Sequence, residues 1–282
     1  MQSAFTRHCM TVQTIIGQKI VKIAPKNVQS RAKTSSSLSL IYSGLTDIGL
    51  GRDNNEDVWA ALPECGFFVL ADGMGGHKGG EVAAALAVHS LCSSIRDTKH
   101  IDCTELIIEI RHAIQKANQE IFYLSNKEPS LSGMGTTLCC LIWTKKSIIY
   151  AHVGDSRVYR MRNQKLELLT EDHSFFSKWK ALHAHSENHV PSSYPYKHVI
   201  TRAVGTAEKV KPAIARTTHL PGDLYLLCTD GLSDVLTTDE MESLLSSSSD
   251  LNTACKNLIE RAKRKGGSDN MTLLLIQNTY LI

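Results

Sequence analysis

Short apolar segments bounded by an acidic residue recur along this chain of 282 residues. The segments are rich in β-branched, aromatic and leucine residues, a composition that favours β-strands between turn-forming residues. An acid at the end of a buried strand is held in a fixed position at the rim of a sheet. The acids in such positions are Glu56, Asp57, Asp72, Asp155, Asp230 and Asp269.

Several carboxylates gathered at one rim would repel each other unless cations compensate their charge. Oxygen ligands of this kind suit hard divalent cations such as Mg²⁺ or Mn²⁺. Asp72 is followed by Gly73 and Asp230 by Gly231, and glycine lets a backbone carbonyl turn inward as a further ligand. A strand followed by Asp-Gly is also an ordinary turn signal, but its repetition favours a metal centre.

The hydrophobic pattern combines strands with four helices, the longest of which repeat apolar residues in steps of three and four. Helices are predicted over 81–96, 104–124, 238–246 and 251–263. Strands are predicted over 66–71, 137–144, 147–153, 156–162, 223–229 and 271–277. The strand over 156–162 is expected to pair with that over 147–153 through a corner at Gly154 and Asp155. Strands outnumber strand–helix alternations, which favours an α+β fold on a mainly antiparallel sheet system.

The distribution of charge sets the start of the chain apart. Residues 1–37 contain no acid, carry several basic residues and end in a serine-rich stretch. We therefore predict a basic N-terminal extension over 1–37, with a short helix or strand at 14–23, followed by one domain over 38–282. The extension is interpreted as flexible or partly ordered, and an organellar targeting peptide is the alternative.

Composition excludes several functional classes. The net charge is +3, but beyond residue 46 the chain has 25 basic against 28 acidic residues, which argues against a nucleic-acid-binding surface. No apolar run approaches the roughly 20 residues that cross a bilayer, so no membrane association is expected. The eight cysteines form no C-x-x-C pair and mostly lie in apolar stretches. Buried free thiols are typical of a reducing compartment, and a cytoplasmic monomer is expected.

Other ion- or nucleotide-binding motifs match poorly. Acids in 53–64 fall at positions of a calcium-binding loop, but Val58 stands where that loop requires glycine. The glycine-rich stretch 73–80 lacks the Gly-Lys-Ser/Thr ending of a phosphate-binding loop. The secondary-structure pattern is lost over 173–199, where a long irregular insertion is predicted. A third candidate metal site there consists of His183, His185 and His189.

Eight stretches of the chain resemble the motifs of the metal-dependent serine/threonine phosphatase family, type 2C, in its bacterial-like form. They occur in the family's order and span about 40–277. The stretches are RDNNED at 52–57, ADGMGGH at 71–77, SGMGTT at 132–137, VGDSR at 153–157, DHS at 172–174, ITRAVG at 200–205, TDGLSDVL at 229–236 and GSDNMT at 267–272. The resemblance implies an α+β fold: a central β-sandwich of two antiparallel sheets flanked by α-helices on both sides. The insertion would be the family's flap beside the active site.

The resemblance also implies a centre of two Mn²⁺ or Mg²⁺ ions, with a position for a third. Asp72 would bridge two ions, with Glu56 and the Gly73 carbonyl serving one of them. Asp230 and Asp269 would serve the other ion, and Asp155 together with Asp230 would hold the third. The implied metal-binding residues are Glu56, Asp57, Asp72, Gly73, Asp155, Asp230 and Asp269.

The implied reaction is hydrolysis of phosphoserine and phosphothreonine in proteins by a metal-bound hydroxide, with no phospho-enzyme intermediate. The implied catalytic residues are Arg52, Asp57 and Asp72, with Arg52 binding the phosphate oxygens and Asp57 orienting metal-bound water. Met74 stands where animal members of the family have a histidine that protonates the leaving group. The leaving-group acid is therefore open, and metal-bound water is a candidate.

The implied partners are phosphorylated proteins, those of a serine/threonine kinase in the same cell. Two alternatives keep the same fold: a regulatory phosphatase dedicated to one partner, and a non-catalytic sensor module. Loss of the metal-binding acids would indicate the sensor module, and the acids are all present.

Overall fold

The computed structural model describes residues 15–16, 19–20, 27–33, 39–75, 79–98, 102–183, 196 and 198–278. The strands in these ranges are β1 (Ile15–Ile16), β2 (Lys19–Ile20), β3 (Asn27–Lys33), β4 (Ser39–Asp47), β5 (Asp57–Leu62), β6 (Phe67–Met74), β7 (Gly135–Thr136), β8 (Leu138–Trp143), β9 (Ile148–Val153), β10 (Arg157–Arg162), β11 (Lys165–Leu168), β12 (Ala213–Thr217), β13 (Leu224–Cys228) and β14 (Met271–Asn278). The α-helices are α1 (Gly79–Asp97), α2 (Cys103–Lys127), α3 (Phe175–Leu182), α4 (Asp230–Ser233), α5 (Thr238–Ser247) and α6 (Leu251–Arg264). Short 3₁₀ helices lie at Pro63–Cys65 and Pro129–Leu131.

Two antiparallel sheets form the centre of the described structure. The first sheet has the strand order β11-β10-β13-β14-β4-β3. The second has the order β12-β9-β8-β6-β5, with β7 pairing with the end of β6. Strands β1 and β2 pair only with each other among the described strands. The predicted α+β fold with two antiparallel sheets is confirmed.

Side-chain alternation along the strands builds three apolar layers. In β8, Cys139, Leu141 and Trp143 pack between the sheets, whereas the residues between them pack against helices. This alternation follows from the two-residue period of a strand. Between the sheets, the rings of Trp143 and Tyr225 meet edge to face with centroids 5.2 Å apart. Burial of such a side chain stabilises the folded state by about 1.5–3 kcal/mol. Strands that are buried on both faces have continuous apolar sequences.

Helices cover both outer faces of this sandwich. Helix α1 and the buried stripe of α2 pack on the second sheet, and α4, α5 and α6 pack on the first. Asp102 caps α2 by accepting hydrogen bonds from the backbone N–H groups of Thr104 and Glu105, and Glu105 completes a capping box. The stripe of α2 consists of Leu106, Ile110, Ala113, Ile114, Ala117 and Ile121. The four predicted helices are confirmed within a few residues at their ends.

One predicted strand pairing is wrong. Strand β10 pairs with β11 and β13 in the first sheet, whereas β9 pairs with β8 and β12 in the second. The chain crosses between the sheets at Gly154, which has a φ of 98°. A Cβ atom on Gly154 would also lie 2.7 Å from a methyl carbon of Thr137. The crossing leaves Asp155 where the edges of both sheets meet.

The insertion, predicted to be irregular, and the N-terminal extension, predicted to be flexible or partly ordered, both contain regular structure. Helix α3 begins inside the insertion, where the Ser174 side chain accepts a hydrogen bond from the Ser177 N–H group. Strand β3 lies before the predicted boundary at residue 37 and pairs with β4 at the edge of the first sheet. Strands β1 and β2 lie in the predicted 14–23 element. The domain boundary itself stays a prediction, and the other residues of the extension and of the insertion at 184–195 and 197 lie outside the described residues.

The described cysteines fit the prediction of free thiols. All seven are unpaired, and Cys9 lies outside the described residues. Burial raises the pKa of the Cys228 and Cys255 thiols to about 12, which makes them unreactive. Among the described helices, none has the length and apolar character required to cross a membrane.

Candidate active site

A cavity of about 580 Å³ opens at the rim where both sheets end. It gathers seven of the eight residues that the sequence predicts for the site; the eighth, Asp57, lies behind its wall. The seven that line it are Arg52, Glu56, Asp72, Gly73, Asp155, Asp230 and Asp269.

Strand register explains why these distant acids meet. In the first sheet, Arg157 pairs with Cys228, so the acids two residues beyond each of them, Asp155 and Asp230, lie at the same edge. In the second sheet, Asp57 pairs directly with Asp72. Neighbouring antiparallel strands run in opposite directions, so the start of one strand lies beside the end of the next. An acid that precedes one strand therefore lies at the same rim as an acid that follows its neighbour.

Asp72 and Asp230 lie in direct contact. Their carboxyl groups lie within hydrogen-bonding distance of each other. Burial and the charges of Asp57 and Asp230 raise the pKa of Asp72 well above its ordinary value. The Asp72 carbonyl accepts hydrogen bonds from Thr136 Oγ1 and Thr137 N, both at 2.8 Å, so the strand behind this carboxyl is fixed.

Asp57 and Asp155 have similarly perturbed carboxyls. Burial, followed by the charges of Asp230 and neighbouring acids, raises the pKa of each to about 7. Asp57 is only 6% exposed, and its Oδ2 accepts a hydrogen bond of 3.0 Å from Thr229 Oγ1. Thr229 and Asn270 are structural partners that the strand-end pattern does not predict.

Glycines allow Glu56 and Gly73 to lie close to the first turn of α1. A Cβ atom on Gly80 would lie 1.9 Å from Glu56 Oε2, and one on Gly73 would lie 2.1 Å from the Gly80 carbonyl oxygen. Both positions therefore require glycine. The carboxylate of Glu56 thereby reaches the first turn of α1, where the positive end of the helix dipole stabilises negative charge.

Asn270 fixes the loop that carries Arg52 and Glu56. Its Oδ1 accepts a hydrogen bond of 2.8 Å from the Glu56 N–H group. Its Nδ2 donates to the carbonyl oxygens of Ile48 and Asn54, both at 2.9 Å. The side chain is buried, so one amide satisfies three backbone groups across a large sequence separation. The only sequence signal for this role is its place beside Asp269.

Arg52 contacts a predicted metal ligand rather than standing alone. Its Nη2 donates to Asp269 Oδ2 at 2.8 Å, and the Arg52 side chain is 57% exposed. This hydrogen bond raises the pKa of Arg52. The guanidinium group thus lies at the mouth of the cavity, with further N–H groups directed away from Asp269 by its planar geometry.

His198 also lines the cavity, and the sequence did not single it out. Its Nδ1 atom lies 2.7 Å from Asp234 Oδ2, and its side chain is 65% exposed. The residue comes from the insertion, where several histidines occur without periodicity. Only the spatial pairing with Asp234 distinguishes His198 from the others.

The buried carboxylates fit hard divalent cations. Burial raises the pKa of the carboxyls at 57, 72, 155 and 230, and the charges of neighbouring acids raise each of them further. A cation among them would offset that cost while accepting their oxygens. Within the described ranges, no three His, Cys, Asp or Glu side chains already have a geometry that could hold an ion.

The competing sites receive no support. Residues 53–64 enter β5 and a 3₁₀ helix, which differs from the helix-flanked calcium loop. His183 Nδ1 lies 2.8 Å from the Trp179 carbonyl oxygen at the end of α3. His185 and His189 lie outside the described residues, as do residues 76–78 of the glycine-rich stretch.

Comparison with known sequences decides the family. A sequence profile described as "Protein phosphatase 2C" matches residues 51–274, most of the chain. The chain belongs to the protein phosphatase 2C family. The matched residues include every acid at the rim, and the resemblance drawn from the eight motifs is confirmed.

Relatives from bacteria extend this assignment. The serine/threonine phosphatase Stp of Listeria welshimeri is 35% identical over 240 residues, 84% of this chain and 95% of that protein. The structure of the Mycobacterium tuberculosis serine/threonine phosphatase PstP/Ppp matches with a TM-score of 0.77 and 33% identity, covering 86% of this chain and 99% of that one. A structure of the PstP catalytic domain in complex with two manganese ions matches over the same shares, with a TM-score of 0.75 and 33% identity. The chain is a serine/threonine phosphatase of the bacterial-like 2C type.

Proposed function

We propose that this phosphatase hydrolyses phosphoserine and phosphothreonine in proteins at a centre of two or three Mn²⁺ or Mg²⁺ ions. The proposed ligands are Glu56, Asp72, the Gly73 carbonyl, Asp155, Asp230 and Asp269. The observation that carries this proposal is the group of buried carboxyls whose pKa values are raised at one rim. The PstP structure with two manganese ions supports it.

Bound divalent cations supply positive charge for the phosphate and lower the pKa of water, so no phospho-enzyme intermediate is needed. The protein's contribution is the rigid placement of the carboxylates at strand ends. Asp57, held by Thr229 behind the cavity wall, adds negative charge next to Asp72 and is proposed to help orient the attacking water.

Arg52 is proposed to bind two phosphate oxygens of the substrate. A guanidinium group offers planar paired donors that match phosphate geometry and offset charge in the transition state. Arg52 lies at the cavity mouth and already binds one carboxylate oxygen, that of Asp269. A phosphate group that enters the cavity brings equivalent oxygens to the same donors.

His198 is proposed to donate the proton that the leaving serine or threonine oxygen requires. The carboxylate of Asp234 holds one ring nitrogen, so the other is available at the cavity. This arrangement resembles the orientation of a catalytic imidazole by a carboxylate. It would fill the role left open because Met74 follows Gly73.

We further propose that the substrates are targets of a serine/threonine kinase in the same cell. A dedicated regulatory role for one partner protein is the alternative. A panel of phosphoproteins from a lysate of the same cell, treated with the enzyme, separates the two: many dephosphorylated proteins favour the general role.

The proposed metal chemistry has a direct test. Purified protein should hydrolyse a phosphothreonine peptide with Mn²⁺, lose activity completely in EDTA and regain it when Mn²⁺ is restored. Asp72→Asn should reduce kcat on the order of a thousandfold, since a central charge is lost. Asp53→Asn is the matched control, because Asp53 lines the cavity outside the proposed ligand set, and it should retain activity. Full activity in EDTA would contradict the proposal.

A further inference from the structure

A second groove, of about 320 Å³, lies between the outer face of α2 and the loop at 206–212. We call it the basic groove. Its rim carries three cationic side chains and a histidine, and its floor includes two apolar residues. The residues that define it are Arg111, His112, Lys209, Lys211, Val210 and Pro212.

Two amides of α2 fix the loop that forms one wall. Asn118 is fully buried; its Nδ2 donates to the Ala207 carbonyl at 2.9 Å, and its Oδ1 accepts from Gly205 N at 2.8 Å. Gln115 donates to the Glu208 carbonyl and accepts from Val210 N, both at 3.3 Å. The groove is therefore bounded by hydrogen-bonded backbone on one side and a long helix on the other.

The charge of the basic groove is not compensated locally. No Asp or Glu lines it, and in the described part of the chain Arg111, Lys209 and Lys211 form no ion pair. Glu208 is adjacent in the loop but lies outside the groove lining. Uncompensated positive charge at the rim of a concave surface attracts anionic partners and steers their association.

We propose that the basic groove binds an acidic segment of the phosphoprotein substrate, with an apolar side chain of that segment on the floor. This inference rests on the proposed function, since it assigns a second contact to the same substrates. Acidic side chains would pair with Arg111, Lys209 and Lys211. Val210, which also packs against the core of the second sheet, and Pro212 would contact the apolar side chain.

The composition of the groove favours a peptide over a nucleic acid. Nucleic-acid grooves combine positive charge with aromatic side chains on which bases stack, and no aromatic residue lines this groove. The basic cluster is also small, whereas backbone tracking needs an extended basic strip. An apolar floor within a charged rim is typical of protein-binding surfaces.

The groove is close enough to the active site for one substrate to reach both. Val204 forms an isolated β-bridge with Thr136, whose hydroxyl donates to the Asp72 carbonyl. From Val204 the chain runs directly to Lys209, a span of at most about 18 Å, because an extended residue covers roughly 3.5 Å.

A charge-reversal pair tests the proposal on the full chain. Lys209→Glu/Lys211→Glu reverses two exposed groove lysines, and Lys145→Glu/Lys146→Glu reverses two exposed lysines in the β8–β9 turn. The turn lies at the end of the second sheet remote from Asp155, so it is the matched control. Circular dichroism checks that both variants fold.

Binding is measured with a fluorescein-labelled peptide of Asp and Glu around one Leu, without phosphate, by anisotropy at low salt. The wild type and the control variant should bind it, and the groove variant should bind about tenfold more weakly. A single-stranded oligonucleotide is the competing probe. No binding by the wild type, equal losses in both variants, or tighter binding of the oligonucleotide would overturn the proposal.

Kinetics are measured with a phosphothreonine peptide joined to the same acidic segment by a Gly-Ser linker. The linker has about 6 to 12 residues, enough to cover the span from Val204 to Lys209. The wild type should show a KM about tenfold lower than with a neutral segment, with kcat unchanged. The groove variant should lose this advantage and keep wild-type activity on p-nitrophenyl phosphate. If the wild type hydrolyses no phosphothreonine peptide, the proposed function is contradicted. The anisotropy measurement still shows whether the basic groove binds an acidic peptide.

Discussion

The carboxylates and the cationic side chains of the active site are held in opposite ways. The acids follow or precede buried strands, and burial raises their pKa values. Arg52 and His198 lie on loops, with side chains 57% and 65% exposed. Their positions depend on one carboxylate each, Asp269 and Asp234.

This difference separates two tasks within one cavity. A metal centre needs oxygens in fixed positions, and strand ends braced by two sheets provide them at the cost of burying like charges. Groups that contact a changing substrate can lie on loops, where ordering accompanies binding. Removing a strand-borne acid should therefore change both stability and chemistry, whereas changing a loop-borne cation should change chemistry alone.

The largest expected effect is a pH-dependent change in stability that cations reverse. A carboxyl whose pKa is raised by folding destabilises the folded state at any pH above that raised pKa. This destabilisation disappears as the pH falls from the raised pKa to the ordinary pKa of the carboxyl. Since the pKa of Asp57 and of Asp155 is raised to about 7, the EDTA-treated protein should be more stable at pH 5 than at pH 8. Each carboxyl contributes about 1.4 kcal/mol per pH unit between its two pKa values. The buried His173, whose pKa burial lowers to about 3, offsets part of that gain at pH 5.

Thermal unfolding followed by circular dichroism at both pH values provides the measurement. With Mn²⁺ the trend should reverse, because cations bind the deprotonated carboxylates and stabilise the folded state by mass action. Asp155→Asn should weaken the pH dependence in EDTA. An Asp155→Asn variant with the same pH dependence as the wild type in EDTA would contradict the raised pKa of Asp155.

Arg52→Lys should lower kcat/KM on a phosphothreonine peptide by about a hundredfold, since lysine keeps the charge but loses the paired donors. Because Arg52 lies on a loop, the melting temperature should stay near that of the wild type. The Mn²⁺ affinity, measured by calorimetry, distinguishes a role of Arg52 in phosphate binding from an effect on Asp269. We expect this affinity to be unchanged in the variant. A variant with wild-type kcat/KM would exclude bidentate phosphate binding.

His198→Gln should lower kcat on the phosphothreonine peptide by about tenfold. Rate contributions of general acids are usually larger, but His198 is largely exposed. Activity on p-nitrophenyl phosphate should fall far less, since its leaving group needs no proton. His183→Gln, in the same insertion, is the control and should behave as the wild type. Equal losses on both substrates would indicate a structural role for His198.

Much of the site could be predicted from the chain because its determinants are local. Each rim acid borders a strand whose apolar run is visible in the sequence, and each long helix shows its buried stripe. Asn270, Thr229 and His198 could not be identified in this way. Their roles arise from contacts across the fold, such as the 2.8 Å hydrogen bond from Glu56 N to Asn270.

The sequence by itself determined the acids, four of the helices, the antiparallel α+β class and the phosphatase family. Apolar periodicity identifies the buried faces of helices and strands, and the ordered motifs identify the chemistry. The tertiary structure alone decided which sheet each strand joins, as the crossing at Gly154 shows. It also decided that Arg52 contacts Asp269 and that α2 and the loop at 206–212 form a basic groove. The physical reason is that periodicity specifies which face of a strand or helix is buried but not its partner. Partners are chosen by packing and register between segments far apart in the chain.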